Sequence, residues 1–362
     1  MSRARRERLR EVLLGEELDA VLVTTLVNVR YLTGFTGSAG QVLVTADGAN
    51  DLLVTDGRYT DQAAEETPDL PVVLVPSDGW LRDALGSRAT LGLEAHAVPW
   101  AAATTIARSV DSRVVASQGL VEQLRQVKEP SEVALLRRAC AIADDAFAEL
   151  LGWLAPGMVE RDVAVRLERA MVDRGAAERA FATIVASGPN SAIPHHRAAD
   201  RVLEAGDMVK LDFGALLDGY HSDMTRVVAL GDPGSQLRGL FAVVHQAQAA
   251  GLALARNGAE SGDVDAACRA VIDDAGLGAH FTHGTGHGIG LQIHEDPYLR
   301  PRTSRPGLSG SESVTLRAGM AVTVEPGVYL PGVGGVRIED SLAITPRGPD
   351  VLTQTPKDLV VL

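Results

Sequence analysis

The stretch Lys210-Leu-Asp-Phe-Gly-Ala-Leu-Leu-Asp-Gly-Tyr-His-Ser-Asp-Met-Thr-Arg226 decides what kind of fold this chain makes. Two strand-like runs flank Asp218-Gly219, a dipeptide that favours the tight turn of a β-hairpin. With the turn there, residues whose numbers sum to about 437 face each other across the ladder. Asp212 and Asp223 then become diagonal neighbours on one face. Aspartate is depleted in strands, yet two stand among Val, Leu and Phe. Two carboxylates on one buried face repel unless a cation lies between them. The other reading, a solvated face with Lys210 or Arg226 as partner, stays open on this segment alone.

Outward from the hairpin, strands and helices alternate. Val209–Phe213, Thr225–Leu230, Met320–Glu325 and Val336–Glu339 read as strands. Apolar residues at helical spacing mark helices over 133–151, 159–174, 236–257 and 263–275. Antiparallel hairpins interleaved with helices indicate an α+β fold, not a doubly wound sheet. The segment Gln126-Val-Lys-Glu-Pro-Ser-Glu-Val is a natural boundary, since Pro130 suits the first turn of a helix and Glu132 its N-terminal dipole. Ahead of it, a helix over 3–18 and strands at Asp19–Thr25, Gln41–Thr45, Asp51–Thr55, Pro71–Val75 and Ala89–Glu94 suggest a smaller α/β domain. Two domains are therefore expected, 1–125 and 126–362.

The chain has 362 residues, 46% of them hydrophobic, enough for a core that needs no metal or disulfide to hold it. Its net charge of -13 disfavours nucleic acid and anionic membrane as partners. The two cysteines, Cys140 and Cys268, sit in apolar helical stretches and read as small buried hydrophobes. The basic start lacks a following apolar run, so no signal peptide is expected. No apolar run reaches the length of a membrane span, and the expected location is cytoplasmic.

Chemistry concentrates in four further segments. Phe281-Thr-His-Gly-Thr-Gly-His-Gly-Ile-Gly-Leu-Gln-Ile-His-Glu-Asp-Pro holds His283, His287 and His294, three of nine histidines, with four glycines interleaved. Those glycines let backbone or ligand approach His287, and neutral imidazole suits Zn, Mn, Co or Fe. Glu325 ends the apolar run Val322-Thr-Val-Glu, where an unpaired carboxylate is costly. In Gly334-Gly-Val-Arg-Ile-Glu-Asp, period-two alternation puts Arg337 and Glu339 on one face, as a site or as an ordinary surface pair. The polar segment Ser187–His196 carries His195 and His196, and is a weak signal by itself. Two Asp, one His and two Glu together match a dinuclear site in which carboxylates bridge two cations.

At this point the chain resembles the pita-bread metallopeptidases: Xaa-Pro aminopeptidase, Xaa-Pro dipeptidase (prolidase) and methionine aminopeptidase. The resemblance rests on Leu211-Asp-Phe-Gly-Ala, Ser222-Asp-Met-Thr-Arg, His283-Gly-Thr-Gly-His-Gly-Ile-Gly, Val324-Glu-Pro-Gly and Val336-Arg-Ile-Glu-Asp. Asn28-Val-Arg-Tyr-Leu-Thr-Gly-Phe-Thr-Gly-Ser and Thr55-Asp-Gly-Arg-Tyr add a likeness to the creatinase-like N-terminal domain of the proline peptidases. It implies a metal set of Asp212, Asp223, His287, Glu325 and Glu339 holding two divalent ions, Mn first, with Co or Zn as alternatives. Glu325 would also shuttle the proton of a hydroxide lying between the metals. His195 and His294 would line the substrate pocket and steady the tetrahedral oxyanion. His283 and Arg337 would hold ligands or substrate. The implied substrates are short peptides with proline second, cleaved before that proline. Phe35-Thr-Gly-Ser and Thr55-Asp-Gly-Arg-Tyr lean towards an aminopeptidase, the alternative being a dipeptidase. A catalytically silent peptide-binding relative would usually have lost ligands, and all five positions are filled. A homodimer is the implied assembly. The polar stretch from Arg300 to Ser313 is expected to form a loop near the site.

Overall fold

The computed structural model describes residues 2–74, 79–301 and 313–362. The chain divides into two compact units, Met1–Arg125 and Gln126–Leu362.

The first unit carries α1 (Ser2–Gly15), β1 (Ala20–Val23), α2 (Leu26–Thr33), β2 (Gln41–Thr45), β3 (Leu52–Thr55), α3 (Thr60–Glu66), β4 (Val72–Leu74), α4 (Trp80–Leu85), β5 (Thr90–Glu94), α5 (Trp100–Ser109) and β6 (Arg113–Ser117). Its six strands form one mixed sheet in the order β4-β3-β2-β1-β5-β6. The central strands are Val- and Leu-rich and buried along their length, as expected of strands covered on both faces. Ala20, Leu22, Leu43, Leu91 and Leu93 pack with Leu81 and Leu85 of α4. This is the α/β architecture expected. The strand expected over 71–75 is shorter, and Val75 lies outside the described residues.

After α6 (Glu122–Gln126), the second unit opens with α7 (Pro130–Leu151), whose N-terminus has Pro in its first turn and a Glu129–Glu132 capping box. Then come α8 (Glu160–Asp173), β7 (Glu178–Arg179), β8 (Ile184–Ser187), β9 (Met208–Phe213), β10 (Ala215–Leu217), β11 (Tyr220–His221), β12 (Met224–Ala229), α9 (Gly234–Leu254) and α10 (Ser261–Asp274). The last strands are β13 (Gly286–Gly288), β14 (Glu295–Leu299), β15 (Ala321–Val324), β16 (Gly327–Leu330), β17 (Gly334–Arg337), β18 (Asp340–Thr345), β19 (Gly348–Val351) and β20 (Val360–Val361). Two layered halves result. Helices α7 and α8 pack through Phe147, Leu150, Val163 and Leu167 on the sheet β20-β12-β9-β8. Helices α9 and α10 pack through Val244, Ala247, Val264 and Cys268 on the sheet β14-β13-β15-β18-β19. This is the α+β pita-bread arrangement.

The hairpin register is the one expected from the turn. Asp212 pairs with Thr225 and Leu216 with His221. Asp218 and Gly219 take φ of 48° and 81°, the left-handed pair of a type I′ turn. One expectation is corrected. The strand over 336–339 does not exist as such: β17 ends at Arg337, and the chain bends through Ile338 and Glu339 before β18 joins another sheet. The surface alternative fails too, because Val336, Arg337, Ile338 and Glu339 are all buried. Both cysteines are free and buried, as expected. Most of the polar stretch from Arg300 to Ser313, residues 302–312, lies outside the described residues. Among the described residues no helix is long and apolar enough to cross a membrane.

Candidate metal centre

Each half of the second unit delivers part of one acidic pocket. Asp212 comes from β9 and Asp223 from the residue before β12. His287 is the middle residue of β13, Glu325 follows β15, and Glu339 sits in the bend between β17 and β18. All five line a single cavity of about 490 Å³, and His195, His283, His294 and Arg337 line it with them. Every site residue expected from the sequence is thus brought to one place. The solvated alternative for the aspartates fails, since Asp212 and Asp223 are buried; Arg226 instead pairs with Asp340. The glycines around His287 admit neighbouring backbone: a Cβ on Gly286 would strike the Thr323 carbonyl, and one on Gly288 the Asp296 carbonyl.

The polar geometry is that of acceptors facing acceptors. His287 Nδ1 lies 3.0 Å from the Gly288 carbonyl, which can only accept, so the ring donates from Nδ1. Burial pushes the imidazole down to about 3, and it is neutral. Its Nε2 lone pair then faces Asp223 Oδ2 at 3.6 Å and Glu325 Oε1 at 3.4 Å. Ligand atoms of Asp223, His287 and Glu339 all lie within 4.8 Å of one another. Among the described residues, Asp212 Oδ1, Asp223 Oδ1 and Glu339 Oε1 are buried with no hydrogen-bond partner. Burial first, then carboxylate neighbours, pushes Asp223 and Glu339 well above the usual carboxylate range, and burial raises Glu325. Such a cluster is unfavourable in its ionised form unless positive charge enters it. Oxygen donors with one imidazole fit divalent cations, and the three orphaned carboxylate oxygens are where ligand lone pairs would be.

Surrounding groups fix these side chains. Arg337 forms an ion pair with Asp212 and donates to Thr225 Oγ1 at 3.0 Å and Tyr329 Oη at 3.0 Å. Thr225 Oγ1 donates to Glu339 Oε2 at 2.6 Å. His283 Nε2 lies 2.9 Å from Tyr329 Oη. His287 and His294 meet edge to face, their ring centroids 4.4 Å apart. From α10, Asp265 accepts from Thr285 Oγ1 at 2.9 Å, and Arg269 reaches the His283 carbonyl, so one ion pair fastens the glycine-rich loop. Thr323 Oγ1 accepts from His287 N at 3.1 Å and lies 3.4 Å from Glu325 Oε1. The sequence reading does not single out Thr225, Thr323, Tyr329, Asp265 or Arg269. Period-two alternation signals two of them: Thr225 shares a face with Asp223, and Thr323 with Glu325. A second grouping of like composition, Glu94, His96 and Glu122, lies in the first unit.

Comparison with known proteins gives two family matches. Residues 134–346 match metallopeptidase family M24, and residues 5–127 match the creatinase/prolidase N-terminal domain. The Xaa-Pro dipeptidase of Pyrococcus horikoshii is 34% identical over 345 residues, covering 95% of either chain. The solved structure of an Xaa-Pro dipeptidase from Bacillus anthracis superposes with a TM-score of 0.94 at 38% identity, covering 100% of both chains. That of an X-Pro aminopeptidase from Thermotoga maritima superposes with a TM-score of 0.88 at 34% identity, covering 99% of both.

Proposed function

This chain belongs to metallopeptidase family M24, as a metallo-exopeptidase carrying a creatinase/prolidase N-terminal domain, and we propose from that premise that it is an Xaa-Pro dipeptidase. The observation that carries the substrate is likeness over essentially the whole chain to proteins named Xaa-Pro dipeptidase. This shifts the balance from the aminopeptidase expected from the sequence towards its alternative. The Thermotoga maritima structure keeps the aminopeptidase as a second reading. In this proposal residues 1–125 are the creatinase-like domain and 126–362 the catalytic one.

Asp212, Asp223, His287, Glu325 and Glu339 would hold two divalent ions, with Mn first and Co or Zn as alternatives. Such ions, when bound, polarise a carbonyl and acidify water. The chain's own groups supply the rest. Glu325, as a carboxylate beside the bound ions, takes the proton of the attacking water and returns it to the proline nitrogen as the C–N bond breaks. His195 and His294, on the exposed side of the cavity, donate to the oxygen of the scissile carbonyl as it gains charge. Arg337 pairs with Asp212 and holds it aimed inward, and Tyr329 fixes His283 beside it. The proposal includes a cytoplasmic homodimer, which light scattering of the purified chain tests for assembly.

The deciding assay sets Ala-Pro beside Ala-Pro-Ala under Mn, Co and Zn. Cleavage of the dipeptide alone is expected. Comparable cleavage of the tripeptide moves the assignment to aminopeptidase. Cleavage of neither under any of the three ions removes the Xaa-Pro specificity.

A further inference from the structure

The ring of His195 makes no hydrogen bond among the described residues, so its place in the cavity is set by its backbone. That backbone is tied down on both sides. After it, His196 Nε2 meets Glu160 Oε2 at 2.7 Å. Glu160 is itself completely buried and accepts from Ser187 N and Oγ, each at 2.7 Å. Before it, the fully buried Lys210 Nζ donates to the carbonyls of Ser191 at 3.1 Å, Ile193 at 2.7 Å and Pro194 at 3.3 Å. Arg337 Nη1 reaches the Pro194 carbonyl at 3.3 Å as well.

Lys210 stands on β9, on the same strand as the metal-site residue Asp212. Val209, Leu211 and Phe213 join the apolar cluster beneath α7 and α8, so strand alternation turns Lys210 and Asp212 together to the other face. Strand β9 lies between β12 and β8 and is paired along both edges. It needs no cation at position 210 to hold it. An apolar side chain would be less costly there, because a buried amino group loses its water and no carboxylate pairs with Lys210 among the described residues. We infer that Lys210 is a positioning residue. It fastens residues 191–194 to the strand that carries Asp212, and so sets the distance between the metal ligands and the His195 imidazole. This rests on the reading of His195 as a donor to the scissile carbonyl oxygen and deepens it. Such a donor acts only where it already points at the developing charge, and a displacement of about 1 Å can cost about a hundredfold in rate.

The test is a double-mutant cycle between Lys210 and His195 in the Mn-loaded full chain. It reads kcat and KM on the better of Ala-Pro and Ala-Pro-Ala, with bound Mn per chain by atomic emission and far-ultraviolet circular dichroism beside them. Lys210→Met keeps the length of the side chain and removes its donor. It should lower kcat by about ten- to a hundredfold, with KM, bound Mn and circular dichroism unchanged. His195→Ala should lower kcat by about a hundredfold. The double variant should be no slower than His195→Ala alone, because no imidazole remains to be positioned. Lys210→Gln, with an amide donor on a shorter stem, should recover part of the rate, and it carries the cycle if Lys210→Met does not fold. Losses that multiply in the double variant overturn the inference, as does an undiminished kcat in Lys210→Met. Loss of bound Mn in Lys210→Met overturns it too, since Lys210 would then act through Asp212. An undiminished kcat in His195→Ala removes the role of His195 and this inference with it, and leaves the Xaa-Pro reading standing. A wild type that cleaves neither peptide overturns both.

Discussion

The two units each hold a histidine and two carboxylates with ligand atoms within 4.8 Å of one another: Glu94, His96 and Glu122 in the first, Asp223, His287 and Glu339 in the second. By residue type they are equivalent. Their lone pairs differ. Glu94 Oε2 accepts from Thr24 N at 2.7 Å, Thr25 N at 2.8 Å and both threonine hydroxyls, and Oε1 accepts from Asn28 Nδ2 at 2.7 Å. Its carboxylate is consumed in capping the start of α2. In the second unit one oxygen each of Asp223 and Glu339 has no partner among the described residues, and burial holds the set together at high electrostatic cost. Proximity of ligand-type residues therefore does not identify a metal site. Unsatisfied acceptors converging on one point do.

The largest effects should come from breaking the second cluster. His287→Ala or Glu325→Gln should lower kcat for Ala-Pro by about a thousandfold or more, as expected for removing a ligand or the proton carrier, while far-ultraviolet circular dichroism stays native. Retained activity in either variant would sink the metal mechanism. Next comes chelation. Stripping divalent ions should abolish hydrolysis, and Mn, Co or Zn add-back should restore it. Ions that bind only the folded state stabilise it by about 3 kcal/mol at a hundredfold excess over Kd. Thermal unfolding should accordingly shift downward by several degrees on chelation. An unchanged midpoint contradicts the convergence of orphaned oxygens on a cation.

Much of the second cluster is legible in the sequence and none of the first, for physical reasons. Asp218-Gly219 gave the register because only residues tolerant of positive φ turn a two-residue hairpin, and the register put Asp212 and Asp223 on one side. The α7 start was legible because Pro130 and Glu132 act locally. The bend at Ile338-Glu339 was not: a run of Val, Arg, Ile and Glu alternates equally well in a strand that continues or one that changes sheet, and only the partner strands decide. Nor were Asp265 and Arg269 visible as site residues, since an Asp–Arg pair at i,i+4 on a helix reads as a surface pair. It becomes a clamp on the His283 loop only through contacts distant in sequence. The Glu94 cap was hidden likewise, its partners lying about seventy residues upstream.

Smaller effects belong to the first cluster. Glu94→Gln keeps an acceptor for the Thr24 and Thr25 amides but turns an amide donor towards Asn28 Nδ2, which already donates to Glu122 Oε1 at 2.6 Å. Two donors facing each other in a buried place cost about 2 kcal/mol. The first unit should unfold earlier by that amount in a denaturant titration, with bound ions per chain and kcat for Ala-Pro unchanged. A loss of bound metal instead would erase the distinction between the clusters.

The smallest expected change is the sharpest probe. His96 has 46% of its side chain exposed, and its Nε2 is 3.4 Å from Glu122 Oε1, a long contact in a wet setting. His96→Ala removes the single imidazole of the first cluster while leaving the Glu94 cap intact. Exposed pairs of this kind contribute little, so stability should move by less than about 0.5 kcal/mol. Metal content by atomic emission should not move at all. The corresponding removal of the imidazole at His287 should lower it. The same substitution, at two clusters alike in composition, thus separates a histidine that neighbours carboxylates from one whose lone pair completes a ring of unsatisfied acceptors.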